Sequence, residues 1–233
     1  MIPKKIQYCW FGKGEKPKLA KKCIASWKKY CPDYEIIEWN EDNFDINMNG
    51  YTTMCYEQKK YAFLSDYVRL LVVYENGGLY FDTDVELVRN PDFLLEKNGF
   101  LGFEIDGTKS EIGIVNTGLG FCANVNNSIV ILMIEKYSSL IDGTRGTQGC
   151  PNLNTIAMIE AGILEGNSIQ EISGFVIYPK EYFNPYDSIT GKLKKTQNTV
   201  SIHWYAGSWL SPKKRIRSKF TKPIHRIMKI IRD

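Results

Sequence analysis

A chain of 233 residues with 43% hydrophobic and 13% aromatic side chains can bury one sizeable core, which excludes a disordered or low-complexity protein. Its net charge of +4 is unevenly spread: nine of the 30 Lys/Arg but one of the 26 Asp/Glu fall from Lys213 onward, so the rest is net acidic. No apolar run reaches the length of a membrane span, and Met1-Ile2-Pro3-Lys4-Lys5 leads into a strand without a signal-peptide core, so a cytoplasmic protein is expected.

The chain opens on a predicted strand, Ile6 to Phe11, followed by Gly12-Lys13-Gly14. That loop has too few glycines, wrongly spaced, for a P-loop or a dinucleotide fingerprint. Leu19, Cys23, Ile24, Trp27 and Tyr30 form one face of a helix that ends at Cys31-Pro32-Asp33, and Tyr34 to Trp39 reads as a second strand. Phe63, Tyr67, Leu70, Leu71 and Tyr74 keep helical spacing over residues 62–75, and Asn76-Gly77-Gly78 supplies the left-handed turn that ends a helix. Leu79 to Glu86 then reads as one strand. Strand, helix, strand, helix, strand predicts an α/β domain with a mostly parallel sheet.

Further on, Pro91-Asp92 starts a short helix and Gly99 to Glu104 is a strand. Ile112 to Phe121 mixes β-formers with Gly113, Gly118 and Gly120 around Asn116, the pattern of a strand beside a ligand. A buried helix is expected over residues 128–140, a surface loop over 141–152 and a helix over 153–164. Strands are expected over 175–178 and 200–204. The six cysteines (Cys9, Cys23, Cys31, Cys55, Cys122 and Cys150) lack paired metal-binding spacing and are expected to be reduced, mainly buried thiols. With only His203 and His225 to join them, they argue against a zinc site.

The chemistry concentrates at Asp82-Thr83-Asp84. On a strand, alternate residues share a face, so both carboxylates point one way and repel unless something positive lies between them. A hard divalent cation, Mn²⁺ or Mg²⁺, completed by substrate phosphate oxygens, fits best; a solvated loop is the alternative. Strand carboxyl ends are where open α/β sheets bind ligands. Immediately upstream, Ser65, Asp66 and Arg69 lie within one helical turn, and Asp66 and Arg69 at i, i+3 are neighbours. On an otherwise apolar helix they form a preorganised polar cluster in which Asp66 accepts sugar hydroxyls and holds Arg69, a plain helix salt bridge being the alternative.

At the other end, Ile216, Phe220, Ile224, Ile227 and Ile231 recur at helical spacing among basic residues, interrupted by Pro223. A basic amphipathic tail over residues 211–233 suggests an anionic membrane surface as partner, each well-placed Lys or Arg contributing about 1 kcal/mol. A solvated terminal helix or RNA binding are the alternatives.

Three stretches together carry a resemblance: Ile2 to Gly12; Ala62 to Arg69 with Tyr74 to Asp84; and His203-Trp204 with Ser208-Trp209. Across residues 1–210 the chain resembles the bacterial glycosyltransferases of family 32, sugar transferases with a DXD motif found in capsule and outer-polysaccharide clusters. The resemblance implies a GT-A fold, a single Rossmann-like nucleotide-sugar-binding domain, and metal-dependent transfer from a nucleotide sugar with retention at the anomeric carbon. It implies that Asp84 binds the metal, that Asp82 assists it and holds donor hydroxyls, and that His203 is the third metal ligand. Asp66 and Arg69 would grip the donor sugar with Tyr80 beside them, Trp10 would stack on the base, and Ser208 and Trp209 would contact the diphosphate, with Lys213 and Lys214 as weaker candidates. Retention raises the question of a carboxylate nucleophile, for which Glu104 and Asp106 are candidates by position, beside a same-face path without one.

Where family members often carry Thr-Gly-Pro, this chain has Thr147-Gln148-Gly149-Cys150-Pro151-Asn152, so the acceptor-side loop is altered. By analogy the donor is UDP-galactose first, then a UDP-N-acetylhexosamine, then GDP-mannose. The acceptor is a saccharide, lipid-linked at the inner membrane face, and nucleic acid is not a partner. Two other classes remain: a haloacid-dehalogenase-like phosphohydrolase, which also ends a strand in Asp-x-Asp but wants Thr or Val where Glu86 stands, and a non-enzymatic carbohydrate-binding module.

Overall fold

The computed structural model describes residues 2–207. The tail, residues 211–233, lies outside the described residues, as do Ser208, Trp209, Lys213 and Lys214.

In chain order the elements are β1 (Lys5–Cys9), α1 (Lys18–Tyr30), β2 (Glu35–Trp39), α2 (Gly50–Glu57), α3 (Tyr61–Asn76), β3 (Gly78–Tyr80), β4 (Val85–Leu87) and β5 (Gly99–Ile105). There follow β6 (Ile114–Val115), β7 (Phe121–Ala123), α4 (Ser128–Glu135), α5 (Cys150–Ala161), β8 (Gln170–Ile172), β9 (Phe175–Tyr178) and β10 (Ser201–His203). The main sheet has the order β2-β1-β3-β7-β5-β9-β8, with β6 paired to β5, while β10 and β4 form a separate antiparallel pair. β2, β1, β3, β5 and β9 run in one direction; β6, β7 and β8 oppose them. This is the mixed α/β, mostly parallel GT-A arrangement expected from the sequence.

Alternation along each strand divides the core between the two faces of the sheet. Ile6 and Tyr8 of β1, Leu79 of β3 and Phe100 of β5 pack with Cys23 and Trp27 of α1. Cys9, Tyr80 and Leu101 point the other way, toward α3, α4 and α5, with Val68, Val72, Val130, Met133 and Ala157. Gln7 of β1 is buried and polar, and both ends of its amide are engaged: Nε2 donates to the Gly77 carbonyl (2.7 Å) and Oε1 accepts from Trp39 Nε1 (2.9 Å). The six cysteines are free and buried, as expected.

Several local expectations are corrected. The single strand over 79–86 is two short strands separated by a turn, in which the Val85 amide donates to the Asp82 carbonyl (2.9 Å). Asp82 and Asp84 therefore lie in the turn and not on one face of a strand. Residues 112–121 likewise break into β6, a 3-10 turn at Thr117–Leu119 and the start of β7. The helix expected over 153–164 begins at Cys150, because Pro151 falls in its first turn, where the missing amide costs nothing. α2 escapes periodicity but is started by a capping box in which Asn49 and Thr52 exchange side-chain-to-backbone hydrogen bonds.

Candidate active site

α3 delivers the first two polar groups. It ends where Gly77 adopts φ 63°, in the region glycine tolerates, and the chain reverses into β3 directly under the helix. The reversal aims Arg69, 2% exposed, at the end of β3. Its guanidinium bonds Asp66 Oδ1 at 2.6 Å and Asp82 Oδ1 at 3.0 Å, lies 5.1 Å from the Tyr80 ring centroid, and donates through Nε to the Ser65 carbonyl. Tyr80 Oη also donates to Asp82 Oδ1, at 3.3 Å. One carboxylate oxygen of Asp82 is thus held from two sides. The other faces Gly118, where an added Cβ would stand 2.6 Å from Oδ2 and 2.8 Å from Arg69 Nη1.

The last described strand supplies the rest. β10 pairs with β4 so that His203 stands opposite Val85, beside the turn. His203 Nε2 lies 3.2 Å from Asp84 Oδ1, while the Ala206 amide donates to Asp84 Oδ2 (2.7 Å) and the Trp204 amide to its carbonyl (3.0 Å). Trp27 Nε1 donates to the Val85 carbonyl (2.8 Å), fixing the turn from the α1 side.

Ligand atoms of Asp82, Asp84 and His203 all lie within 4.8 Å of one another, and His203 Nδ1 is buried without a hydrogen-bond partner among the described residues. Two hard carboxylates and an imidazole suit a hard-to-borderline divalent cation such as Mn²⁺, so the residues present fit the expected metal. The electrostatics are divided. Burial, with the charges of Asp84 and Asp66 added, raises the Asp82 carboxyl to about 6 despite Arg69. Burial acts the same way on Asp84, but His203 and the Ala206 amide outweigh it and hold that carboxyl at about 2. Burial would lower His203, yet Asp84 opposite it raises it overall. Two carboxylates two residues apart are thereby driven to different protonation behaviour, a common mark of a functional site.

A polar network that the sequence reading did not find joins these groups on the far side. Cys150, in the first turn of α5, contacts Arg69 Nη1 (3.9 Å) and donates its thiol to Asn116 Oδ1 (3.3 Å). Asn116 Nδ2 donates to Glu104 Oε2 (3.1 Å), and Tyr205 Oη donates to Glu104 Oε1 (3.0 Å) with its ring 4.1 Å from that of His203. Asn184 Nδ2 donates to Tyr205 Oη at 2.8 Å. Asn116 is therefore beside the aspartates, as its glycine-rich setting suggested. The usable signal for Cys150 was the Pro151 that follows it, which starts a helix there. Both oxygens of Glu104 are engaged, and Asp106 Oδ1 accepts the Lys180 amide (2.7 Å).

Trp10 is not brought into the cluster. It follows β1 at the same carboxyl edge of the sheet, with its indole N–H donated to the Gly14 carbonyl (2.7 Å) and Lys16 Nζ 5.5 Å from its ring. Asp66, Arg69, Tyr80, Asp82, Asp84, Asn116 and His203 do converge.

The sheet thus carries an aspartate pair, an imidazole and an anchored arginine together at one edge. Residues 17–101 match the family described as "Glycosyltransferase sugar-binding region containing DXD motif", a stretch that includes Asp66, Arg69, Asp82 and Asp84. Among solved structures it is similar to one titled "PaToxG Glycosyltransferase" (19% identity, 68% of this chain and 69% of that one, TM-score 0.53). It is also similar to a glycosyltransferase involved in glycosylation of the major capsid of PBCV-1 (11% identity, 94% of this chain and 100% of that one, TM-score 0.52). At those identities the likeness is one of fold. No curated protein matches. The phosphohydrolase and binding-module alternatives are set aside.

Proposed function

We propose that the chain transfers a hexose, galactose first, from a UDP-sugar to a saccharide acceptor with retention, using Mn²⁺ or Mg²⁺, in the building of a bacterial surface polysaccharide. The convergence of Asp82, Asp84 and His203 beside the Asp66–Arg69 pair carries this reading. A bound divalent cation would stabilise, as a Lewis acid, the charge that develops on the departing nucleoside diphosphate. Asp84 and His203 would hold it together with Asp82, whose Oδ1 stays tied to Arg69. Asp66 and Arg69 would orient the donor sugar through its hydroxyls, and orientation contributes several kcal/mol of barrier reduction. Trp10 would stack on the base, with Ser208 and Trp209 on the diphosphate. Each Glu104 oxygen accepts one hydrogen bond and keeps a lone pair, so Glu104 stays a candidate nucleophile beside the same-face path.

The direct test is release of nucleoside diphosphate from a panel of nucleotide sugars with Mn²⁺, Mg²⁺ or EDTA. Turnover of one UDP-sugar that EDTA stops is the expected result; silence across the panel, with no metal-dependent nucleotide binding, would remove the proposal. The metal should also compete with protons. Asp82, pushed up to about 6 by burial, and His203, raised by Asp84, both ligate only when deprotonated, so Mn²⁺ affinity measured by calorimetry should rise with pH from about 6 upward. An affinity flat from pH 5 to 8 would exclude Asp82 as a ligand.

Among the described residues no helix is long and apolar enough to cross a membrane. We propose that the basic segment 211–233 binds an anionic membrane surface and so brings the enzyme to a lipid-linked acceptor. Deleting it should reduce co-sedimentation with phosphatidylglycerol vesicles; equal co-sedimentation of both forms would rule this role out.

A further inference from the structure

A cleft of about 350 Å³ opens between β6 and the first turn of α5, lined by Ile114, Gly149, Pro151, Asn152 and Thr155. Its walls are fixed, since the Val115 amide donates to Thr155 Oγ1 (3.1 Å) and Thr155 Oγ1 donates in turn to the Pro151 carbonyl (2.7 Å). The surface it offers is mainly hydrocarbon. Ile114 is 37% exposed, and Ile105, its partner across the β5–β6 ladder, is 55% exposed, so two isoleucines side by side continue the apolar wall outward. Neither packs into the core, and apolar groups left together in water beside a functional site are a mark of ligand contact.

The cleft lies beside the proposed donor site. Ile114 and Asn116 are separated in the chain only by Val115, where β6 gives way to the turn that Asn116 caps. Gly149 and Pro151 flank Cys150 in sequence, and the thiol of Cys150 meets both Asn116 and Arg69. One layer of side chains thus separates the cleft from the guanidinium that holds Asp82. A transferase needs its second substrate on that side, close enough to reach the anomeric carbon.

We propose that this cleft binds the apolar aglycone of the acceptor, so that the enzyme selects glycosides carrying a hydrocarbon or lipid group over free sugars. The inference rests on the transferase reading for the word acceptor, but the cleft's preference for an apolar aglycone can be measured without turnover. Burying an alkyl chain against Ile114 and Pro151 favours binding, whereas a methyl aglycone leaves the cleft to water.

The test is calorimetric titration of the full chain with octyl β-D-galactoside, below its micelle concentration, and with methyl β-D-galactoside. The octyl compound should bind at least about tenfold more tightly, a difference that burial of a few methylenes supplies. Ile114→Ser should bring the two within about threefold, and Ile105→Ser, at the outer edge, should reduce the difference partway. Equal binding of the two glycosides, absence of binding by both, or a preference unchanged in Ile114→Ser would overturn the proposal. UDP release by the unaltered chain is a separate readout: an octyl preference without any nucleotide-sugar turnover would keep the cleft and sink the transferase reading.

Discussion

Asp84→Ala is expected to lower metal-dependent turnover about 10³-fold, the equivalent of about 4 kcal/mol of transition-state stabilisation. Asp84 is the residue on which the two halves of the site meet. Its Oδ1 faces His203, its Oδ2 accepts the Ala206 amide, and its carbonyl accepts the Trp204 amide. Removing the carboxylate takes away a ligand and also frees His203, which Asp84 holds toward the protonated form. Asp84→Asn separates the two effects, since it keeps the shape and an acceptor oxygen while losing the charge. Both variants should fold, because the backbone contacts to β10 survive. Initial rates of UDP release in saturating Mn²⁺ are the measurement, and a rate within threefold of the unaltered chain for Asp84→Ala would end the assignment.

Arg69→Met should have the largest effect on stability, a loss of about 3 kcal/mol, because it strands two partly buried carboxylates without their buried counter-charge. The guanidinium is 2% exposed and is bonded to Asp66 and Asp82 at once. Asp66 is already raised by burial with Arg69 opposing it, so without the arginine it rises further. The triple change Asp66→Asn, Arg69→Met, Asp82→Asn should recover most of the lost stability and none of the activity. Urea midpoints decide this. A single variant as stable as the parent would mean that the ion pairs add nothing to the fold, and a triple variant no better than the single would place the loss in packing.

The parts of the fold legible in the sequence were those with a single local cause. α3 showed its spacing and its glycine stop, and β1, β2 and β5 showed short apolar runs bounded by turn residues. β4 was merged with β3 because β-formers on both sides and the polar alternation of Asp82 and Asp84 about Thr83 mimic one strand, while the break after Tyr80 comes from tertiary pairing: the Phe81 amide still reaches the Gln7 carbonyl, and the next residues turn toward β10. The aspartates were found by spacing, yet they meet their partners through a turn and not through a shared strand face. His203 entered only through the family resemblance, since a lone histidine far along the chain has no local signature. Tyr205 and Asn184 had none either, and Cys150 only the helix start marked by Pro151, because their partners lie far away in sequence: 81 residues between Cys150 and Arg69, and 101 between Tyr205 and Glu104.

The pairing of β10 with β4 also bears on when the enzyme becomes competent. His203 and the Ala206 amide meet Asp84 only across an interval of more than a hundred residues, and β10 is held beside the aspartate turn by three paired positions with β4. During synthesis, the sheet from β1 to β9 can form while the cation site still lacks its imidazole, because domains generally acquire structure from the N-terminus onward. The site is finished last. A chain interrupted between residues 178 and 201 would therefore keep every strand of the main sheet while its aspartate turn lacked His203, and is expected to be inactive in the nucleotide-sugar assay.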